Sequence, residues 1–528
     1  MRVAVAYPPV TKDGQFPLLS QNRHLKFSHS LEVRIFPLIP AHAATNLKVA
    51  GHQVLWLDGI NERMTMEQFH AALAEFKPEL LIMESKAPVI RTHWAYIAEA
   101  KRLFPQMRIA LVGDHVSYFP EESLQNSPVD YVFTGGDYDV IARDMAAHLE
   151  GKGPKPAGVW WRGEDGSIQN SGHHVLSDNL DELPFIDREL TRWLSYGEAY
   201  LLPRIAYMLT GRGCGLENGR TSTCTFCIWQ HALWDRTARL RSPANVVGEI
   251  EQLVALGARE VFDDNETGPI YDRAWMTEFH RLMKEKGLIG KIALSVNARG
   301  DLVDAELAAL MKATGFRLLK IGIEAGDDES LRQLAKLEGV EKIKAGIRHT
   351  RDNGMVTLLT TMVGYPWQDE AGVARTYQVA KEMLLYKPKF GDCLQASVVV
   401  PYPGSPLWTA AVNKGWFLID PKDYDSYDMS QPLMKSQYDN EAWVKRLWRL
   451  HLRPSFVLRS LLTLRNRDQV DLAWRGVLSL AGHISDYKPG QGSASMHAGR
   501  LNNWRDRFSP KRQARLSETP EAPIERVL

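Results

Sequence analysis

"TGRGCGLENGRTSTCTFCIW" (residues 210–229) holds three of the chain's four cysteines. In Cys224-Thr-Phe-Cys227 a two-residue gap returns the chain to one side of a tight loop, so both sulfurs can face one metal centre. Such pairs occur in zinc, thiol-redox and iron–sulfur sites. Nine residues separate Cys224 from Cys214, the third sulfur donor. The spacer GLENGRTST is polar and carries two glycines, so it can bulge into solvent without burying unpaired backbone groups. Lengthening a three-residue gap to nine costs only about 1 kcal/mol by logarithmic loop closure. His231 follows Cys227 at a zinc-like interval and would complete three thiolates and one imidazole. On spacing alone, zinc and iron–sulfur stand level. A core role for all three cysteines is disfavoured, because they lie among Gly, Arg, Ser and Thr rather than in an apolar run.

Working outward, Cys214 follows the strand-like run RIAYML (204–209). Further runs are REVFDD (259–264), KIALSV (291–296), RLLKIGIE (317–324), VTLLTTMVG (356–364) and LQASVVV (394–400), separated by amphipathic stretches. Ser242 with Pro243 caps one of these, and Val246, Val247, Ile250, Leu253 and Val254 share its apolar face. Six units are too few for a closed eight-fold barrel, so residues 201–425 are expected to form an open, six-stranded partial barrel. A purely structural zinc knuckle has no reason to occupy the rim of a first barrel strand, where such enzymes keep their chemistry, and this position favours iron–sulfur.

Upstream, VAVAY (3–7), HQVLWLD (52–58), ELLIMES (79–85), RIALVGD (108–114) and VDYVFTG (129–135) alternate with helical patterns such as TMEQFHAALAEF. This spacing predicts a doubly wound, Rossmann-like α/β domain over residues 1–150. Its ligand is expected past the strands' carboxyl ends, near Tyr7 to Val10, Glu84 to Ala87, Gly113 to Tyr118 and Gly135 to Tyr138. Residues 151–200 read as a connector with a hairpin around Asp165-Gly166. Residues 426–485 read as a helical cap whose Trp- and Arg-rich part, 440–464, packs on the barrel rather than on a membrane, and 486–528 as a disordered tail.

Composition is that of an ordinary globular chain: 528 residues, 44% hydrophobic, 24% charged and a net charge of +1, which implies no global pull toward nucleic acid or membrane. No apolar run reaches membrane-span length, and Pro8 and Pro9 interrupt any signal-peptide core, so a cytoplasmic setting is expected. Four cysteines in so long a chain argue against a disulfide framework. Cys393 reads as a buried small side chain.

The chain resembles the cobalamin-binding radical SAM family over roughly residues 1–480. The likeness rests on Arg212-Gly213-Cys214 closing the first barrel strand, the C-x-aromatic-C of Cys224 to Cys227, RLRSPANVVGEIEQL with EVFDDNETG after it, LLKIGIEAG (318–326), TMVGYPWQDE (361–370) and VPYPGSPLW (400–408). In the first domain LVGDHVSYFPEE (111–122) and VDYVFTGGDYD (129–139) match the cobalamin module. The sequence departs from the family in its nine-residue spacing, where three is the norm, and no other trio restores it.

That resemblance implies a 4Fe-4S cluster on Cys214, Cys224 and Cys227, whose open iron chelates S-adenosylmethionine so that an electron releases a 5′-deoxyadenosyl radical. It implies S-adenosylmethionine contacts at Phe226, Asp264, Glu266, Ser295, Asn297, Glu324 and the backbone at Val363 and Gly364, and cobalamin contacts at Tyr7, Pro8, Pro9, Glu84, Ser85, Gly113, Asp114, His115, Tyr118, Gly135 and Gly136. The Asp-x-His-x-x-Gly cobalt-ligating pattern is absent, so a corrin without a protein histidine ligand is implied and His115 reads as a hydrogen-bonded loop residue. The implied activity is methyl transfer from methylcobalamin to an unactivated carbon or phosphorus centre of a small molecule, with electrons from a flavodoxin- or ferredoxin-type donor. A radical cyclase or hopanoid-modifying enzyme of the same architecture, and a non-catalytic cobalamin- or metal-binding regulator, are the alternatives.

Overall fold

Two parallel sheets built from consecutive strand–helix units carry most of the chain. The computed structural model describes residues 1–11, 16–17, 27–28, 34–216, 219–336, 339–427, 429, 431–464, 470, 472 and 474–476; the tail expected at 486–528 lies outside the described residues.

The first sheet contains β1 (Arg2–Tyr7), β2 (Gln53–Asp58), β3 (Leu80–Glu84), β4 (Arg108–Val112), β5 (Tyr131–Phe133), β6 (Val159–Arg162) and β7 (Ile168–Asn170), in the order β2-β1-β3-β4-β5-β6-β7. The first five are parallel, and their near-continuous burial reflects helices on both faces. Helices Leu38–Val49 and Tyr138–Leu149 pack together on one face, and Met66–Phe76 meets Ile90–Leu103 through Phe69 and Tyr96 on the other. The hairpin expected in a connector instead completes this sheet, β6 pairing antiparallel with the short strand β5. Pairing there buries Val159 and satisfies an edge that β5 would leave open.

The second sheet contains β8 (Ile205–Met208), β11 (Glu260–Asp263), β12 (Ala293–Ala298), β13 (Phe316–Glu324), β14 (Val356–Val363) and β15 (Cys393–Val398), all parallel and in sequential order, an open partial barrel as expected. Between β8 and β11 lies an antiparallel ribbon of β9 (Gly211–Gly213) and β10 (Ala238–Leu240) that the sequence pattern did not reveal. Ser242 does cap helix Pro243–Ala255, accepting from Asn245 N at 3.1 Å, and Val246, Val247, Ile250 and Leu253 are buried. Phe36 joins the two sheets' cores, lying 5.0 Å from Tyr196 edge-on and 6.2 Å from Tyr207 in a stack. Helix Asn440–Trp448 buries Trp443, Val444, Leu447 and Trp448, and Trp448 Nε1 donates to Ala396 O at 3.0 Å, so this part of the expected cap does pack on the barrel. Cys393 is half-buried beside Leu318, Val356 and Leu358. No described helix is long and apolar enough to cross a membrane.

Candidate metal centre

Cys214 does not sit on a barrel strand; it leaves the β9–β10 ribbon, which carries it over the rim. Gly213 adopts φ +89°, and a Cβ there would collide with the Thr237 carbonyl just before the partner strand, so glycine is required for the ribbon to close. The ribbon's root is tied to the barrel: Thr210 N and Oγ1 donate to the Asp263 carboxylate at 3.0 and 2.5 Å. Gly213 N donates to Glu266 Oε2 at 3.1 Å, and Cys214 N to Gln230 Oε1 at 3.0 Å. The long spacer is absorbed by a small turnback. Gly215 and Thr221 bridge antiparallel, Leu216 N donates to Arg220 O at 2.8 Å, and Ser222 N donates to Cys214 O at 2.8 Å. Cys224 therefore starts its loop beside Cys214 despite the nine-residue spacer, and the Cys227 amide turns back to Cys224 O at 3.1 Å.

All three thiols are buried. Burial, then the neighbouring Cys224, pushes the Cys214 thiol up to about 12, and Arg299 opposes that rise. His231 Nε2 donates to the Cys224 carbonyl at 3.3 Å. Among the described residues no three of His, Cys, Asp and Glu converge closely enough for a single ion; a four-iron cluster carries its thiolates on separate irons and spaces them more widely. The thiol trio, gathered by backbone bonds on one loop, fits such a cluster.

Around it, the barrel rim contributes polar groups in layers. Asn297 Nδ2 donates to Asp264 Oδ1 at 3.0 Å and to Asn265 O at 3.1 Å. The Asn265 side-chain amide is fully buried beside Gly211, and neither its oxygen nor its nitrogen has a partner, an orphaned pair that suits a polar ligand. Burial raises Asp263 to about 6 despite its bonds to Thr210 and Asn265. Ser295 lies one layer deeper, where its hydroxyl donates to Glu260, itself gripped by Arg317 Nε and Nη2 at 2.8 and 2.7 Å. Glu266 braces the ribbon, taking Gly213 N and Trp234 Nε1 (2.7 Å). Glu324 adopts φ +62° and pairs with Lys336 at 3.0 Å. Gly364 N already donates to Tyr438 OH at 2.8 Å, and Val363 O accepts from Val399 N at 2.9 Å. Phe226 is half-buried between its two cysteines.

At the first sheet's edge, Tyr7 and Tyr138 hydroxyls donate to the two oxygens of Glu84 at 2.6 and 3.1 Å. Burial, then Glu84, raises the Tyr7 hydroxyl well above its usual range. Ser85 Oγ lies 2.8 Å from His93 Nδ1, and the Lys86 ammonium stands 3.5 Å from Asp114 Oδ2 and over the Trp229 ring. Pro8 is buried, and Pro9 packs beside Gly59. Gly113 (φ +115°) runs so close to the Ser85 carbonyl that a side chain would strike it, and Gly135 (φ +93°) faces open space. Tyr118 is exposed, with its ring near Phe119 and Trp408. Contrary to expectation, His115 belongs to helix Asp114–Tyr118 and is buried with neither ring nitrogen hydrogen-bonded; burial lowers it to about 3. Gly136 does not face the crevice: its amide donates to Leu233 O at 2.9 Å and Trp234 packs on its α-carbon.

The radical SAM superfamily profile matches residues 208–380, which cover the ribbon, the cysteines and the barrel. These residues are a radical SAM domain. The chain is 22% identical over 78% of its length to an uncharacterized methyltransferase of Pyrococcus horikoshii, covering 86% of that protein. It is 24% identical over 76% of its length to the anaerobic magnesium-protoporphyrin IX monomethyl ester cyclase of Rubrivivax gelatinosus, covering 70% of it. The structure of the radical S-adenosylmethionine methyltransferase TsrM from Kitasatospora setae, solved with cobalamin and a [4Fe-4S] cluster, superposes with a TM-score of 0.63 at 16% identity, covering 92% of this chain and 99% of that one. The two-sheet fold is therefore shared with that enzyme.

The radical SAM domain is fastened to the first sheet through Arg212, two residues before Cys214. Arg212 Nη1 donates to Asp137 Oδ1 at 2.6 Å and Nη2 to Asp139 Oδ2 at 2.7 Å, while Arg239 on β10 grips Asp137 at 2.8 and 2.9 Å. Burial opposes the Arg212 charge, but the two aspartates raise its affinity for its proton. Sequence reading missed Asp137 and Asp139 as the other half of this bridge, and missed Arg299. The latter lies one residue past the end of β12, so strand alternation gave no signal for it.

Proposed function

We propose that this chain is a cobalamin-dependent radical SAM methyltransferase acting on a small molecule. The observation that carries the reading is the gathering of Cys214, Cys224 and Cys227 on one ribbon-borne loop, clamped by Arg212 against the carboxyl edge of the first sheet. When bound, the cluster supplies the electron that cleaves S-adenosylmethionine to a 5′-deoxyadenosyl radical, and cobalamin supplies the methyl group.

The chain's own residues do the rest by position. The three cysteines would hold the cluster; Asp264, Asn265 and Asn297 would offer donors and acceptors at the rim to the methionine end of S-adenosylmethionine; Phe226 would flank the adenine; and Glu324 would serve the ribose or methionine end. Glu266 and Gln230 hold the cysteine loop in place, and Ser295 supports the layer beneath. The segments at Tyr7 to Pro9, Glu84 and Ser85, Gly113 to His115, Tyr118 and Gly135 would bound the space for cobalamin, with Gly135 leaving room. Burial of the thiols and of the acidic rim excludes water from the reacting groups. A flavodoxin- or ferredoxin-type protein would supply the electron.

The likeness to the cyclase supports a second reading, oxidative cyclisation on the same scaffold. Anaerobically reconstituted protein, given reductant and deuteriomethyl-labelled S-adenosylmethionine, should bind iron, sulfide and cobalt, form 5′-deoxyadenosine and carry label into product. Unlabelled product with 5′-deoxyadenosine would select the cyclase reading. No 5′-deoxyadenosine under any condition, or undiminished turnover with all three cysteines replaced by alanine, would overturn both.

A further inference from the structure

Two side chains that the proposed reaction does not use converge on Cys224. Ser222 Oγ lies 3.1 Å from its sulfur; Arg299 Nη1 donates to that sulfur at 3.6 Å and to Ser222 Oγ at 3.5 Å. Arg299 follows β12 and is buried. On its far side Asp301 Oδ2 accepts from Nε at 3.2 Å and Nη2 at 2.8 Å, and this carboxylate is also buried. Because a guanidinium is planar, fixing two of its nitrogens aims the third at the thiol. Bracing the loop does not require a cation against sulfur, since Ser222 N and Gln230 already hold it.

We infer that Arg299, aimed by Asp301 and assisted by Ser222, is a positioning residue that raises the reduction potential of the iron–sulfur centre held by Cys224. The inference rests on the cluster reading above. Reduction adds negative charge that spreads onto the ligand sulfurs. A positive charge and N–H and O–H donors at one of those sulfurs stabilise the reduced state more than the oxidised one.

The test is a redox titration of anaerobically reconstituted full-length protein, read from the electron paramagnetic resonance of the reduced cluster. At a fixed potential, Arg299→Met should hold about tenfold less reduced relative to oxidised cluster, a downward shift of about 59 mV for a one-electron couple. Ser222→Ala should shift the same way by less. The double variant Arg299→Gln/Asp301→Asn leaves no stranded carboxylate and must also shift downward; if only Arg299→Met does, the lone Asp301 charge accounts for it and the assignment falls. An unchanged potential in a variant that retains its cluster overturns it. Loss of the cluster from both Arg299 variants, with native circular dichroism, overturns it too, because Arg299 would then be needed to retain the cluster rather than to set its potential. Wild-type protein without a reducible cluster would instead sink the proposed function.

Discussion

Where the two sheets' loops touch, they are built from opposite charges. The first sheet brings Asp137 and Asp139 from the start of helix Tyr138–Leu149, and the second answers with Arg212 and Arg239 from the ribbon. By contrast, Tyr7, Glu84 and Tyr138 pair within the first sheet, and Asp263, Asp264 and Asn297 within the second. Buried ion pairs recover little net stability after desolvation, but an unmatched one is costly, so the bridge specifies how the sheets are set against each other more than it adds to the fold. It acts two residues from Cys214, so the setting of the sheets and the setting of the thiol are one problem.

Arg212→Met is the strongest way to break that comparison. It leaves Asp139 and part of Asp137 buried without their cation and should cost about 3–5 kcal/mol in chemical denaturation; a negligible change would mean that the sheets are aligned by apolar contact alone. Gly136→Ala attacks the same junction sterically, since a methyl group there must displace the Trp234 ring, and should cost about 1–3 kcal/mol. The first sheet's edge should also be the more acid-sensitive one. Burial lowers His115 to about 3 from an ordinary value of 6.5, so unfolding takes up a proton between those limits and stability falls as pH falls through that window. His115→Leu should remove about 2 kcal/mol of the difference between pH 7 and pH 5, measured by denaturant midpoints. At the small end, Arg281→Ala should leave the midpoint unmoved, because its pairs with Glu278 and Glu285 are solvent-exposed.

The contrast between Ser295 and Asn297 shows how far the sequence could be read. Both lie on β12 at positions of like parity, and alternation alone places both on the inner face. It says nothing of depth: Ser295 meets Glu260 and Arg317 in a sealed lower layer, and Asn297 meets Asp264 at the rim. Glu266 and Gly136 stand in matching motifs yet serve the ribbon and the Trp234 contact, partners supplied from distant sequence. The hairpin at β6–β7 was visible as a hairpin, but not the sheet it joins, because edge pairing depends on what the rest of the sheet leaves open.

The sequence by itself determined the alternation of strands and helices, the partial barrel's six strands and the cysteine trio, because periodicity and residue type are local properties. Only the tertiary structure decided that the long spacer turns back on Cys214, that Arg212 reaches across to two aspartates and that Arg299 bears on Cys224. Those facts depend on which buried charge meets which partner once distant segments are packed, and a buried charge accepts few partners, so the chain's far ends must agree before any of them can form.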